Sequence, residues 1–218
     1  MLKKYGTKVV HTNMGTMMRQ PLQPWETWQK YRLIARPDAG AAAELAAVAD
    51  SFRAKAGGEG LYPEPVLCFF EQRLPEASEQ LLLKWLQNLC SHQPAFEVQV
   101  NNVSGLPPHL VYARLQPTEG LQAFTQKLHS LLKDLAGVTN SSRQLLQQVR
   151  LPLITELPTH LFHLAMGHFS PVDLRLQLPV ALLELQVWQA DSNNWKRLQV
   201  LPLVQQPQPV YEPWYQIH

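Results

Sequence analysis

Apolar and polar positions along the chain switch between a two-residue and a 3.6-residue period, so strands and helices are predicted to alternate. Residues 31–36 and 63–70 are predicted as strands because short apolar runs end there at turn-forming residues. Between them, residues 41–55 are rich in alanine and are predicted as a helix. Asp38 can cap its start, and Gly57 follows its end. The chain is therefore predicted to begin its folded part as β-α-β.

The middle of the chain continues this alternation. Residues 76–90 and 121–135 repeat leucine at helical spacing and are predicted as amphipathic helices. Residues 96–100 alternate apolar and polar side chains, and residues 110–115 follow a proline-containing turn, so both are predicted as strands.

The last part of the chain is predicted to be rich in strands. A looser stretch, residues 140–158, precedes an apolar strand predicted at residues 160–166. Two further strands, residues 180–189 and 195–203, flank the turn sequence Asp-Ser-Asn-Asn at residues 191–194. The order is β-α-β-α-β-β-α, a linker and then β-β-β, and two β/α halves of similar layout indicate an internal duplication.

The composition limits the classes of function. The 218 residues are 45% hydrophobic and 17% charged, with a net charge of +2, as in an ordinary globular protein. This balance gives no general attraction to nucleic acid, so an anionic ligand would need a local site, and no DNA-binding motif is present. The two cysteines lack metal-site spacing, and neither a secretory signal nor a membrane-length apolar segment is found. A cytoplasmic monomer or homodimer that does not bind membranes is expected.

Motifs for common cofactors and metals are missing from the sequence. It contains no phosphate-cradling glycine loop, dinucleotide fingerprint or nucleophile elbow. His160, His163 and His168 lie close together, but their spacing matches no established ligand geometry and no carboxylate is near them in sequence. We therefore expect neither a cofactor nor a metal ion.

The element order, together with the strings at residues 31–38, 96–100 and 105–113, resembles the two-histidine phosphoesterase superfamily, also called the 2′-5′ RNA ligase or LigT-like family. The resemblance covers residues 31–203. It implies an α+β fold with two pseudo-symmetric lobes, in which antiparallel sheets surround a central groove and helices lie outside. Residues 1–30 are then an N-terminal extension packed on the body, and residues 204–218 are a docked C-terminal tail.

The family's phosphodiester chemistry depends on two His-x-Thr/Ser motifs that face each other across the groove, one imidazole acting as base and the other as acid. The first motif position aligns with residues 63–67, where Glu64 replaces the histidine and Val66 replaces the hydroxyl residue. A carboxylate repels a phosphate, and valine offers no hydrogen-bond donor. The resemblance therefore implies that the first motif is degenerate.

The second motif position allows two alignments within the predicted strand at residues 160–166. In one, Leu161 takes the histidine position and His163 the hydroxyl position, which leaves an apolar rear face. In the other, His160 takes the histidine position and Phe162 replaces the hydroxyl residue, which turns His163 into the core. Burying an unpartnered imidazole costs about 1–3 kcal/mol, so the first alignment is preferred. Neither alignment restores the motif.

The predicted function is that of a catalytically weak or inactive family member, a pseudoenzyme whose groove binds a nucleotide, an RNA end or another small ligand. The residues predicted to line the groove are Val66, Cys68, Leu161, Phe162, Arg32, Arg36 and Arg114.

Two alternatives remain open. The chain could be an active phosphodiesterase that uses Glu64 with His163 or His160 as its catalytic groups. It could instead be a protein-interaction module that uses the aromatic residues of the extension and the tail, namely Trp25, Trp28, Trp214 and Tyr215.

Overall fold

The computed structural model describes residues 27–136 and 149–205. Eight strands and four α-helices lie within these ranges. In chain order they are β1 (Trp28–Ala35), α1 (Ala39–Arg53), β2 (Leu67–Pro75), α2 (Glu79–Ser91), β3 (Phe96–Leu106), β4 (Leu110–Gln116), α3 (Glu119–Ala136), β5 (Leu151–Ile154), α4 (Thr159–Phe169), β6 (Arg175–Val180), β7 (Leu182–Gln189) and β8 (Asn194–Pro202).

The strands form two antiparallel sheets of four, in the orders β2-β1-β7-β8 and β5-β4-β3-β6. The sheets meet where β2 approaches β5. There the backbone N–H of Cys68 donates to the carbonyl oxygen of Arg150 at 2.9 Å, and the reverse bond is 3.2 Å long. Each sheet belongs to one lobe, and the two lobes surround a central groove. The predicted α+β bilobal architecture is confirmed.

The two lobes repeat one topology. The segment β1-α1-β2-α2 of the first lobe corresponds to β4-α3-β5-α4 of the second. The sheet orders extend the match, because β7 and β8 stand next to β1 just as β3 and β6 stand next to β4. Strand β5 therefore occupies in the second lobe the place that β2 occupies in the first.

A single hydrophobic core joins the lobes. Phe69 on β2 packs edge-on against Phe124 on α3, with ring centroids 5.1 Å apart, and Phe96 on β3 completes the cluster at 5.5 Å from Phe124. All three side chains are buried. Since this cluster combines residues from both lobes, we expect the lobes to fold as one unit.

Helix α1 shows how the sequence builds one of these elements. Asp38 precedes the helix, and its carboxylate accepts a hydrogen bond from the backbone N–H of Ala41 at 2.8 Å. Ala41, Leu45 and Phe52 then recur at helical spacing and are buried, so one face of the helix covers the core.

The structure departs from the predicted elements mainly in the second lobe. Residues 160–166, predicted as a strand, belong to helix α4, and the strand prediction is wrong. Its buried residues Phe162, Ala165 and Phe169 are spaced by three and four, as on one face of a helix. Strand β5 lies in the stretch that was predicted to be irregular, and most of β6 was also missed.

The ends of the chain are only partly described. Strand β1 begins at Trp28, so Trp28 to Lys30 belong to the sheet and not to an extension. Residues 1–26 and 206–218 lie outside the described ranges, and with them most of the predicted arm and tail.

Candidate ligand-binding groove

Each sheet has one face that packs on the core and one more polar face, and the two polar faces are called the groove faces here. Along β1, Leu33 and Ala35 are buried in the core, whereas Arg32 is only partly buried on the opposite face. Successive strand residues point to opposite faces, so Arg32 shares its face with the residue directly across on β7, Gln186.

Arg32 is held in place without a charged partner. Its Nε donates a hydrogen bond to Oε1 of Gln186 at 2.8 Å, and its guanidinium carbon lies 4.2 Å from the ring centroid of Trp195 on β8. Within residues 27–136 and 149–205, no carboxylate lies at ion-pairing distance from Arg32. Burial lowers the pKa of this guanidinium, because its charge has lost part of its hydration. Glu71, opposite Arg32 on β2, and Glu64 attract this charge and act to raise its pKa without forming an ion pair, so within the described residues the side chain is a fixed cation without a contacting carboxylate.

Glu184 on β7 is the centre of a neighbouring ion network. Its Oε1 lies 3.2 Å from Nε of Arg36 and 3.6 Å from a terminal nitrogen of Arg197, and its Oε2 accepts a hydrogen bond from Gln186 at 2.9 Å. Burial alone would raise the pKa of the Glu184 carboxyl. The hydrogen bonds from Gln186 and Arg36 outweigh that effect and lower the pKa below its usual value.

Glu64, at the position of the first family motif, lies just before β2 and forms an ion pair with Arg36. This pair is the main reason that the pKa of Arg36 is raised. Glu64 therefore contributes a neutralised and exposed carboxylate at that position.

The centre of the first lobe's groove face is apolar. Val66 is buried, and Cys68 donates its thiol hydrogen to the carbonyl oxygen of Phe70 at 3.4 Å. Burial raises the pKa of Cys68 to about 12, so the thiol stays protonated at neutral pH. Neither Val66 nor Cys68 can therefore act as a general acid or base at neutral pH.

Strand pairing gives the matching positions in the second lobe. Leu67 of β2 pairs with Ala35 of β1, and Leu151 of β5 pairs with Ala113 of β4. All four side chains are buried. Arg36 and Arg114 each follow one of these alanines, so they hold equivalent places. Val66 and Arg150 each precede one of these leucines and are equivalent as well.

Arg150 extends the groove face across the junction between the sheets. It pairs directly with Cys68, and residues opposite each other in an antiparallel pair point to the same side. The side chain of Arg150 is therefore on the groove side of the sheet. Gln148, which by the same correspondence matches Glu64, lies outside the described residues.

The rest of the second lobe's polar face is made of amides and arginines. Arg114 donates from Nε to the carbonyl oxygen of Asn101 at 3.1 Å, and Arg175 pairs with Asp173 at 2.9 Å. A depression of about 620 Å³ lies on this face. The residues that line it are Gln99, Val100, Asn101, Gln116, Arg175, Leu176 and Gln177.

Solved structures of other proteins share this architecture. The chain is similar to apo LigT of E. coli, with a TM-score of 0.57 and 15% sequence identity over 83% of this chain and 99% of LigT. It is also similar to TT0787 of Thermus thermophilus, with a TM-score of 0.58 and 14% identity over 80% and 97% of the two chains. The chain has a LigT-like fold.

Another similar structure is E. coli LigT complexed with 3′-AMP, at a TM-score of 0.57 and 14% identity over 82% of this chain and all of LigT. LigT has also been crystallised with ATP and with NADP⁺. No protein-family model matches the sequence, and no curated protein matches it either.

Within this LigT-like fold, the segment predicted to carry the second motif does not line the groove. His160 and His163 are exposed on helix α4, and within the described ranges neither forms a hydrogen bond or ion pair with Glu64. Phe162 is buried and Leu161 partly buried in the core. The prediction that these two residues line the groove is wrong, because it required a strand where the chain forms a helix.

Helix α4 packs closely on β3 from the core side. A Cβ atom added at Gly105 would lie 2.7 Å from Cζ of Phe162 and 2.6 Å from Sδ of Met166, so a larger residue there would require these two side chains to move. The hypothesis of a catalytic pair between Glu64 and His160 or His163 required these histidines to lie on a strand, and they lie on helix α4 instead.

The six histidines within the described ranges all lie on helices or in turns, none on a strand of either sheet. His168 on α4 is bound on the outer surface, where its Nε2 is 2.9 Å from Oγ of Ser51 and its Nδ1 is 2.9 Å from Nζ of Lys55. His109, in the turn after β3, is bonded through Nδ1 to the carbonyl oxygen of Leu157 at 3.1 Å.

Groups of three or more potential metal ligands are absent from the described part of the chain. None of its helices is long and apolar enough to span a bilayer.

Two features of the groove were missed at the sequence level. Arg150 could have been found from the period-two pattern of Val149, Leu151 and Leu153, which marks β5 as a half-buried strand. The cross-strand pair Trp188 and Trp195 depends on the turn register: Gln189 pairs with Asn194 in the structure, whereas the turn predicted at residues 191–194 places the two tryptophans three residues before it and one residue after it.

Proposed function

We propose that the groove binds the phosphate of a nucleotide or an RNA end, and that it does so without the two-histidine cleavage of phosphodiesters. The observation that carries this proposal is that guanidinium groups, and not imidazoles, lie on the polar faces of the two sheets within the described residues. The polar faces hold Arg32, Arg36, Arg114, Arg150 and Arg175, while the described strands hold no histidine.

Arg32 is the best candidate for the phosphate contact. A partly buried guanidinium without a carboxylate partner is stabilised when an anion supplies the missing charge. Its Nε bond to Gln186 and its stacking on Trp195 fix the plane of the fork before any ligand arrives. Such preorganisation reduces the entropic cost of binding.

Arg36 contributes less to anion binding, because Glu64 and Glu184 already neutralise it. Arg114 is bonded to a backbone carbonyl oxygen, which carries no full charge. We therefore assign the main cationic contacts of the groove to Arg32 in the first lobe and Arg114 in the second.

The absence of cleavage follows from proton transfer. A phosphodiester reaction of the family type needs a base and an acid on opposite sides of the phosphorus, each contributing about 10²- to 10⁴-fold to the rate. At the first motif position the chain offers a paired carboxylate, a valine and a protonated thiol. At the equivalent of Val66 in the second lobe it offers Arg150, whose guanidinium group donates hydrogen bonds and accepts none.

The similar structures support a nucleotide as the ligand. LigT of E. coli has been solved in complexes with 3′-AMP, ATP and NADP⁺, all of which carry phosphate on a ribose. The adenine nucleotide 3′-AMP is the simplest of these and is the probe that we select.

Binding of 3′-AMP, measured by isothermal titration calorimetry, tests the proposal. We expect Arg32→Met to weaken binding about tenfold to a hundredfold, since a charge-assisted hydrogen bond is lost. The affinity of Arg32→Lys for 3′-AMP should lie between those of the wild type and Arg32→Met, because lysine keeps the charge and loses the planar fork. Lys84→Met on the outer helix α2 removes the same charge far from the groove and should bind like the wild type. Equal affinities for all four proteins would refute the phosphate site.

Turnover of a 2′,3′-cyclic nucleotide tests the second half of the proposal. We expect no cleavage by the wild-type protein. Cleavage that Glu64→Gln or His163→Ala abolishes would show an active phosphodiesterase and would overturn the assignment.

A further inference from the structure

We propose that the β7–β8 hairpin stacks a base of a single-stranded nucleic acid on Trp188, next to the phosphate at Arg32. This inference rests on the proposed phosphate site and extends it from a mononucleotide to a strand. The chemistry is shared by RNA and DNA, because every base presents the same kind of aromatic face.

The hairpin presents two indole rings at the border of the groove. Trp188 on β7 pairs directly with Trp195 on β8, and their ring centroids are 5.2 Å apart at an interplanar angle of 68°. Both side chains are half-buried, so part of each ring is open to solvent. They lie on the same polar face as Arg32, because Trp188 follows Gln186 by two positions on the strand.

The indole pair is in direct contact with Arg32, the residue proposed to bind the phosphate. The guanidinium carbon of Arg32 lies 4.2 Å from the ring centroid of Trp195, and the rings of Trp195 and Trp188 are in an edge-to-face type of contact. A phosphate held by Arg32 and a base held by Trp188 would therefore be adjacent parts of one strand. The contacts also restrain both rings before binding, which lowers the cost of ordering them.

The charge available to a polyanion at the rings comes mainly from Arg32, because Glu71 pairs with the nearby Lys30 and Glu184 lies 3.6 Å from Arg197. Lys30 places its Nζ 5.3 Å from the ring centroid of Trp195 and 6.0 Å from that of Trp188. Arg197 follows Trp195 by two positions and faces the same side. Basic side chains interleaved with aromatic rings are the combination by which proteins hold single strands, with phosphates on the cations and bases on the rings.

The test measures fluorescence polarisation of a labelled tetra-adenylate that carries a 3′-phosphate, in RNA and DNA versions. Each is compared with a strand of the same length that lacks all bases. We expect the wild-type protein to bind the base-containing strand about tenfold more tightly than the abasic strand. Trp188→Leu, which keeps an apolar side chain but removes the aromatic face, should abolish this difference and leave abasic binding unchanged.

Three further variants make the result specific. Trp188→Phe keeps an aromatic face and should retain most of the difference between the two strands. Trp85→Leu, on the outer helix α2, makes the same exchange away from the hairpin and should behave like the wild type. Arg32→Met should weaken the binding of both strands equally, because it removes the contact to the phosphate.

The outcomes separate the two proposals. If binding depends on Arg32 but the base-containing and abasic strands bind equally, the stacking site is refuted and the phosphate site stands. If no binding depends on Arg32, both fail. Circular dichroism shows whether Trp188→Leu is folded. If it is not, the stacking site is tested by comparing base-containing and abasic strands on the wild-type protein and on Trp188→Phe. A preference for the RNA or the DNA version would identify which strand is the ligand.

Discussion

The two lobes share a topology but differ in the electrostatics of their groove faces. In the first lobe, carboxylates neutralise most of the cations: Glu184 binds Arg36 and Arg197, and Glu71 pairs with Lys30 at 2.6 Å. In the second lobe, Asp173 pairs with Arg175, but Arg114 contacts a backbone carbonyl oxygen and, within the described part of the chain, no carboxylate.

Packing explains where the lobes agree and where they differ. The core-facing positions are identical, with leucine at residues 67 and 151 and alanine at residues 35 and 113. The groove-facing positions next to them hold Val66 in one lobe and Arg150 in the other. A close-packed core penalises any change of volume, whereas the neighbouring position on the groove side holds a buried valine in one lobe and a charged arginine in the other. The fold can therefore persist while its chemistry changes.

The largest effect is expected where the lobes share their core. Phe69→Ala removes a buried ring that contacts residues of the second lobe, and it should lower the free energy of unfolding by about 3–5 kcal/mol. Urea denaturation followed by circular dichroism and by tryptophan fluorescence should show one transition with both probes.

Leu81→Ala serves as the control, because that side chain is 42% exposed on α2 and should change the free energy of unfolding by less than about 1 kcal/mol. Two separate transitions, of which only one moved in Phe69→Ala, would mean that the lobes fold independently.

A pair of equivalent substitutions separates binding from stability. Arg114→Gln should weaken 3′-AMP binding about tenfold and leave stability nearly unchanged. Arg36→Gln should do the reverse: it leaves Glu64 and Glu184 short of a partner, so it should cost about 1 kcal/mol of stability with little loss of affinity. Calorimetric titration and thermal unfolding of both variants measure the two effects. If both variants lost the same affinity for 3′-AMP and the same thermal stability, the electrostatic difference between the lobes would be contradicted.

The Glu184 network should make the first lobe sensitive to acid. Burial opposes the charge of this carboxyl, but hydrogen bonds from Gln186 and Arg36 hold its folded pKa below the value of about 4.3 in an unfolded chain. The stabilisation is therefore complete above that value and is lost as the pH falls through the folded pKa.

Compared with Glu184→Gln, the wild-type protein should be more stable by about 1–2 kcal/mol near neutral pH. This difference should shrink in acid, as measured by urea denaturation at a series of pH values. A difference that stayed constant down to about pH 3 would show that the carboxylate charge does not contribute.

The sequence predicted the first lobe better than the second, for local reasons. Around α1 and β2, the cap at Asp38 and the run from Leu67 to Phe70 agree with the final structure. In the second lobe, β5 is four residues long and contains Pro152, which suppresses the strand signal, while the helix α4 is the more apolar segment. An apolar run of that length does not distinguish a strand from a buried helix without its periodicity.

The groove was predictable only in part because its contacts join distant strands. Arg32 and Arg36 could be assigned to the groove face from alternation along β1. Their partners Gln186 and Glu184 are about 150 positions away along the chain, and only the pairing of β1 with β7 brings them together. Composition and spacing therefore indicated cations in the groove, but not which of them are neutralised.

The smallest effect concerns the helix caps, which again differ between the lobes. Asp38 accepts from the N–H of Ala41 at 2.8 Å at the start of α1, whereas Thr118 accepts from the N–H of Leu121 at only 3.4 Å at the start of α3. Asp38→Ala should therefore cost about 1 kcal/mol in thermal unfolding.

The hydroxyl of Thr118 also donates to the carbonyl oxygen of Glu97 at 2.9 Å, so it links α3 to β3 as well as capping the helix. Thr118→Ser keeps both hydrogen bonds and should be nearly neutral, while Thr118→Ala should lose mainly the bond to β3. If Thr118→Ala leaves stability unchanged while Asp38→Ala lowers it, only the first lobe depends on its cap. If Thr118→Ala and Asp38→Ala lower stability equally, the hydrogen bond from Thr118 to β3 compensates for its longer bond to the helix.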